Sequence, residues 1–287
     1  MANVDHVNVF TLGGKGGNPC PIVTDARGLT PEAMKEIARR FGHESGFVLP
    51  PRNSDYDFTF RYWVPNHEME MCGHATIGAL WLLAGRGGLS GRESLRIETL
   101  SGPVTGFVRS EADGPSVQIT QPVGKVVALD AEQEKDVLGV LKLDRKDLLE
   151  VPLLNASTSR VKTLIPVRDP DRLNALKSDM AAVEAVCTRI GSTGLYPYAI
   201  LDRPGRAFEA RQFPRSSGYP EDAATGIAAT ALGFGLLREG LIDPDDREVR
   251  IIQGRAMGSA SEIRVRIGFA GTQPVGCLLG GTVTRAA

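Results

Sequence analysis

The segment EMEMCGHATIGALWLL, Glu68 to Leu83, sets cysteine, glycine and histidine side by side at the head of a long apolar run. A helix that is apolar nearly all round is a buried helix. A second segment, DAATGIAA (Asp222–Ala229), can be laid over CGHATIGA (Cys72–Ala79), pairing Ile77 with Ile227, Ala79 with Ala229 and the small residues Gly78 and Ala228. The approaches are also alike, FRYWVPN (Phe60–Asn66) before the first and EARQFPR (Glu209–Arg215) before the second. Each reads as a strand, a proline, a short polar loop and a buried helix. On this register Asp222 is the counterpart of Cys72, and the offset of 222 − 72 = 150 positions is close to half of the 287-residue chain. A repeat of that length predicts two pseudo-symmetric halves, each wrapping strands around one central helix. The fold class is α/β (α+β), with a β-sheet or barrel around each helix. The division is expected near residue 124, giving halves 1–124 and 125–287. Whether the C-terminal strand GCLLGGTVTRA returns to the first half is left open.

Composition narrows the function classes. Apolar residues make up 42% and charged residues 23%, an ordinary globular balance. With 33 basic and 34 acidic residues the net charge is −1, so no basic excess of the kind that grips nucleic acid is present. No apolar run is long enough to span a bilayer, and the N-terminal MANVDHVNVFTLGG lacks the basic and apolar regions of a signal peptide. It reads as a first strand, Val7–Leu12. Cys20, Cys72, Cys187 and Cys277 show no CxxC spacing, which argues against a zinc ribbon or a disulfide framework. A cytoplasmic protein without membrane or nucleic-acid partners is the expectation.

Further elements follow from local chemistry. Thr30-Pro31-Glu32 predicts a helix start, running to about Phe41 and stopping at Gly42. GFVLPP, YPYAILDR and FEARQF read as strands, and Asp169–Lys177 and Ala181–Gly191 as helices. The span Val126–Leu153 carries an amphipathic helix expected to link the halves.

If the halves face each other through their helix starts, unpaired amides and two helix dipoles would favour a carboxylate ligand. Gly73 and Gly226 would let backbone approach it closely. The titratable groups each have two readings. Glu44, in GHESGF, is a solvated turn carboxylate or a base; Asp222 is a helix N-cap or an acid. His74 is a core histidine or a site group, and Cys72 an inert buried thiol or a nucleophilic base. Because Asp222 rather than cysteine stands opposite Cys72, a two-thiol racemase is disfavoured. One carboxylate moving a proton between two carbons needs only one base, which points to an isomerase.

GNPCPIV (Gly17–Val23), IARRFGHESGFVLP (Ile37–Pro50), MCGHATIGA (Met71–Ala79), EDAATGIAA (Glu221–Ala229) and IIQGRAMGSAS (Ile251–Ser261) resemble, in order, the motifs of the phenazine biosynthesis PhzF-like isomerase family. The resemblance spans nearly the whole chain and implies the diaminopimelate epimerase-like fold. It implies cofactor-independent isomerisation of a small cyclic carboxylate such as trans-2,3-dihydro-3-hydroxyanthranilate, with neither metal nor organic cofactor. It further implies Glu44 as proton shuttle, His74 as assisting group and Asp222 as acidic partner. Asn18, Cys72, Gly73, Thr225, Gly226 and Ile227 are then the expected substrate-binding positions, and a homodimer the expected assembly. Two departures bear on the substrate. Ile227 stands where the family commonly has serine, and Gly258-Ser259-Ala260-Ser261 where it often reads Gly-Arg-Pro-Ser. Two other readings stay open: an amino or imino acid epimerase using Cys72, and a carboxylate-binding protein without catalysis.

Overall fold

The computed structural model describes residues 2–89 and 91–286. It separates into two compact units: residues 1–120 with 279–287, and residues 121–278.

In the first unit the strands are β1 (Asp5–Thr11), β2 (Asn18–Val23), β3 (Ser45–Leu49), β4 (Phe58–Trp63), β5 (Glu68–Met69), β6 (Ser94–Thr99), β7 (Gly102–Glu111) and β8 (Gly114–Gln121). Two helices interrupt them, α1 (Pro31–Phe41) and α2 (Gly73–Gly85). β1 and β2 are antiparallel, β2 and β3 parallel, β3 and β4 antiparallel, and β4 runs parallel to β6 before the β6–β7–β8 meander. The last strand of the chain, Thr282–Arg285, pairs with β1.

α2 lies against β1, β2, β3 and β7 and is buried from His74 through Leu80 and at Leu82, with its last turn partly exposed. Each large side chain sealed there contributes about 1.5–3 kcal/mol relative to exposure. Glycine makes the enclosure possible. A Cβ on Gly78 would lie 2.7 Å from Ile22 Cδ1 and 3.0 Å from Val7 Cγ2. α1 instead packs Met34 and Ala38 in a separate cluster with Val23, Ala26, Phe47 and Trp63. Its ends match the sequence: the Thr30 side chain accepts from Ala33 N at 3.2 Å, and Gly42 closes it at φ +70°.

The second unit contains β9 (Lys125–Ala128), α3 (Ala131–Leu141), β10 (Leu154–Ser157), β11 (Lys162–Pro166), α4 (Pro170–Asn174), α5 (Met180–Arg189), β12 (Gly194–Asp202), β13 (Ala207–Ala210), β14 (Phe213–Pro214), α6 (Gly226–Arg238), β15 (Val249–Gln253) and β16 (Ser261–Ala270). Its sheet order is β9-β10-β11-β12-β13-β15-β16, with β14 on the start of β12. α6 lies against β9, β10, β11 and β16, and like α2 it is apolar and buried on all sides. α3 and α5 pack on a separate cluster that includes Val137, Leu141, Val183 and Val186.

FEARQF does not form one strand. β13 stops at Ala210 because Arg211 faces Pro197 of β12, which accepts from Arg211 N at 3.0 Å but has no N–H to return, and Phe213 resumes pairing with Leu195. The helix read at Asp169–Lys177 is one short turn, α4, and α3 belongs to the second unit.

Candidate functional site

At the head of α2 the N-cap is Cys72, whose side chain makes no capping hydrogen bond. Its carbonyl accepts instead from Thr76 N at 3.0 Å and Thr76 Oγ1 at 2.7 Å. Since the Thr76 hydroxyl proton is committed there, the Tyr62 hydroxyl, 2.7 Å away, donates to Thr76 Oγ1. Burial first, with the nearby thiols adding, pushes the Tyr62 phenol well above its ordinary range. This chain of contacts fixes the first turn of α2 to β4.

The turn presents a compact polar cluster. Cys72 Sγ lies 3.4 Å from His74 Nδ1 and 3.9 Å from Nε2, and His74 Nε2 lies 3.5 Å from Glu44 Oε2. Cys72 and His74 are buried, whereas the Glu44 side chain is 34% exposed, so the carboxylate is the member of the three that meets solvent. Glu44 sits between the α1 cap and β3, and its carbonyl accepts from the Cys20 thiol at 3.3 Å. Burial, then the Glu44 charge, hold Cys20 as a protonated thiol well above its ordinary range. The Glu44, Cys72 and His74 ligand atoms all lie within 4.8 Å of one another, a donor set able to hold a metal ion.

Asn18 begins β2 opposite Val9. Its neighbour must be glycine: Gly17 adopts φ +82°, and a Cβ there would stand 2.7 Å from the Val9 carbonyl oxygen. Gly73 begins α2 with Leu279 Cδ2 only 3.1 Å from where its Cβ would be.

In the second unit the N-cap of α6 is Thr225 and its first residue Gly226. Asp222 therefore lies three residues ahead of the cap, which corrects the reading of it as the N-cap. The overlay of the two segments shifts with it. Both helices have 13 residues, and aligning their starts pairs Gly73 with Gly226 and Cys72 with Thr225. The 150-position register matched Ile and Ala positions that recur in any small-residue helix. The caps mark an offset of 226 − 73 = 153.

Asp222 is held by a closed hydrogen-bond network. Gln253, fully buried, donates through Nε2 to the Asp222 carbonyl at 2.7 Å and to Thr225 Oγ1 at 3.1 Å. Its Oε1 accepts from Tyr196 Oη at 2.8 Å and Thr225 N at 3.3 Å. With its acceptor side occupied by Gln253, the Thr225 hydroxyl donates to the Asp222 carboxylate. Burial, with the Asp222 charge adding, raises Tyr196 well above the ordinary phenol range.

The loop carrying Asp222 is pinned from both ends. Arg211 grips Glu221 with two bonds, Nε to Oε1 at 2.8 Å and Nη2 to Oε2 at 2.6 Å. Ser261 Oγ donates to the Ala223 carbonyl at 2.7 Å. Gly254, at φ +82°, would bring a Cβ to 2.3 Å from the Ser259 carbonyl and 2.9 Å from that of Ala223. The motif IIQGRAMGSAS thus supports the loop through Gln253, Gly254 and Ser261. Ile227, half-buried, follows Gly226 on the first turn of α6.

Lys162, at the start of β11, is 5% exposed. Desolvation lowers its ammonium to about 8, opposed by the Asp222 charge. Sequence reading missed Arg211, Gln253 and Lys162. A lysine opening the otherwise apolar strand KTLIP and an arginine between two phenylalanines in FEARQF were the available signals, whereas nothing local marks Gln253.

The family model described as phenazine biosynthesis-like protein matches residues 7–284. An uncharacterized isomerase, YddE of Escherichia coli strain K12, is 31% identical over 285 residues, 97% of this chain and 94% of its own. A trans-2,3-dihydro-3-hydroxyanthranilate isomerase of Pseudomonas fluorescens is 28% identical, over 91% of this chain and 88% of its own. The crystal structure of a Bacillus anthracis phenazine biosynthesis protein of the PhzF family superposes with a TM-score of 0.87 at 26% identity, covering 100% of this chain and 97% of that one. The fold is diaminopimelate epimerase-like. With two strand-wrapped central helices and a match over nearly its whole length, the chain belongs to the phenazine biosynthesis-like, PhzF, family and is an isomerase.

Proposed function

We propose that the protein is a cofactor-independent isomerase in which Glu44 takes a proton from one carbon of a small cyclic carboxylate and returns it at another. The observation that carries this reading is the Glu44 carboxylate, the solvent-meeting member of its cluster, 3.5 Å from His74 Nε2 at the head of α2. A single positioned carboxylate takes the proton as one C–H bond breaks, the electron pair moves through the conjugated system, and the Glu44 carboxyl, partly exposed and so able to exchange that proton with solvent, supplies the proton of the second C–H bond. No atom is gained or lost. His74 is the assisting group that orients the Glu44 carboxylate, and Cys72 lines the site. Asp222 is the second acidic group, and its network with Thr225 and Gln253 supports a fixed carboxylate orientation. Thr225, whose hydroxyl is committed to Asp222, then acts by positioning. Gly73, at the start of α2 with Asn18 as a positioning group of the same unit, and Gly226, at the start of α6, each offer helix-start amides suited to an anion. Ile227 supplies an apolar contact where a hydroxyl would otherwise be available.

The named reaction of the Pseudomonas fluorescens relative supports trans-2,3-dihydro-3-hydroxyanthranilate as the first substrate to test. The purified protein is incubated with this compound and, in parallel, with cyclic amino and imino acids, and each is followed by proton NMR. Migration of a ring proton is the expected result. Inversion at one carbon that disappears in Cys72→Ala would replace this reading by an epimerase. Calorimetric binding with no proton exchange for any ligand would replace it by a binding protein. The proposed assembly is a homodimer of the 30.8 kDa chain, read by light scattering on the purified protein.

A further inference from the structure

The same cluster has a second chemistry. Glu44, Cys72 and His74 supply one oxygen, one sulfur and one nitrogen, the donor set that zinc accepts. We propose that these three side chains form a binding site for a soft divalent cation, Zn²⁺ or its probe Co²⁺, and that its occupation blocks the isomerase. The blocking half of the proposal rests on Glu44 being the proton carrier.

Zinc bonds of about 2.0–2.3 Å in a tetrahedron set ligand atoms roughly 3.3–3.7 Å apart. His74 Nε2 lies 3.5 Å from Glu44 Oε2 and 3.9 Å from Cys72 Sγ, and the third edge is within 4.8 Å. Cys72 Sγ is nearer His74 Nδ1, at 3.4 Å, than Nε2, so the three donors are gathered by a turn of the His74 ring together with a swing of the partly exposed glutamate, while the Cys72 and His74 backbones stay fixed at the start of α2. A thiolate and a carboxylate neutralise the dication, which offsets its repulsion from the positive end of the helix. Three protein ligands leave the fourth position to water, the pattern of an accessible rather than a structural site. Bound metal holds the Glu44 oxygen that would otherwise take a substrate proton.

Zn²⁺ affinity is measured by competition with a chromophoric chelator, and Co²⁺ spectra are recorded, for the full chain without substrate. The variants are Cys72→Ser, His74→Asn and Glu44→Gln, each checked for fold by circular dichroism. One metal per chain is expected, with a thiolate-to-cobalt charge-transfer band. Cys72→Ser should lose that band, and each variant should weaken Zn²⁺ binding at least tenfold. No binding in competition with the chelator, or affinity unchanged in Cys72→Ser and His74→Asn, overturns the site. Proton migration is then assayed with Zn²⁺ and again after chelation. Turnover that is undiminished with the site filled overturns the blocking half. Metal binding in a protein that moves no proton on any substrate leaves the site standing, removes the blocking half and counts against the isomerase mechanism alone.

Discussion

Glu44, His74 and Cys72 differ in what they can lose. Replacing Cys72 by alanine removes a lining thiol, so the account predicts that proton transfer stays within a few-fold of the parent, measured as kcat by NMR. Arg211 and Glu221 are an ion pair with side chains only 7% and 11% exposed. Arg211→Met leaves Glu221 charged and without its guanidinium, at an expected cost of about 3–5 kcal/mol in urea denaturation. Lys162 gives a pH signature. Its ammonium falls to about 8 in the folded chain from an ordinary 10.5, so below pH 8 the folded state carries the full burden of a buried charge. Between pH 8 and 10.5 the unfolded chain binds more protons, so this group's contribution to stability rises with pH, by at most about 3 kcal/mol. Lys162→Met is therefore expected to be more stable than the parent at pH 7, with the difference shrinking toward pH 10.5. An equal difference at both pH values would contradict it. At this scale the sequence resemblance pointed to Glu44, His74 and Asp222. Gln253 escaped because its partners, Asp222, Thr225 and Tyr196, are brought to it only by the pairing of β15 and the placement of α6.

Helix caps and close-packed glycines carry the argument at the level of elements. α1 was legible to its ends because Thr30, Pro31 and Gly42 act locally, through hydrogen bonds and backbone angles that need no distant partner. The start of α6 was misplaced by three residues for the complementary reason. Aspartate is a good cap in isolation, but here its carboxylate is engaged by the hydroxyl of the actual cap, Thr225. The break in FEARQF was likewise set from outside the segment, by Pro197 on the facing strand β12, which nothing within FEARQF announces. Gly254→Ala is predicted to destabilise the fold by about 1–3 kcal/mol, through its positive φ and the two carbonyl clashes. Because Gly254 packs under Ala223, that change should lower kcat well beyond what the unfolded fraction explains, checked by activity at full folding. Gly78→Ala tests α2 differently. Overpacking against Ile22, Val7 and Val9 is expected to cost about 1–3 kcal/mol by urea denaturation.

For the whole molecule, the repeat of strand, proline, loop and buried helix carried the fold class, because an all-apolar helix too short to span a bilayer must be buried, and strands are the elements that accompany it in both copies. The two units each realise that plan, around α2 and around α6. Among the described residues no helix is long and apolar enough to cross a membrane. The substrate was not legible, since Ile227 and Ser259 alter side-chain chemistry without altering the scaffold that family motifs report.

The central claim is that one carboxylate, Glu44, carries the proton. Its most direct measurement follows deuterium uptake from heavy water into trans-2,3-dihydro-3-hydroxyanthranilate by proton NMR, with the parent, Glu44→Gln and Cys72→Ala. The account predicts substrate-dependent incorporation with the parent, near-parent incorporation with Cys72→Ala, and none above background with a folded Glu44→Gln. Incorporation that persists in Glu44→Gln, or vanishes in Cys72→Ala, would contradict it.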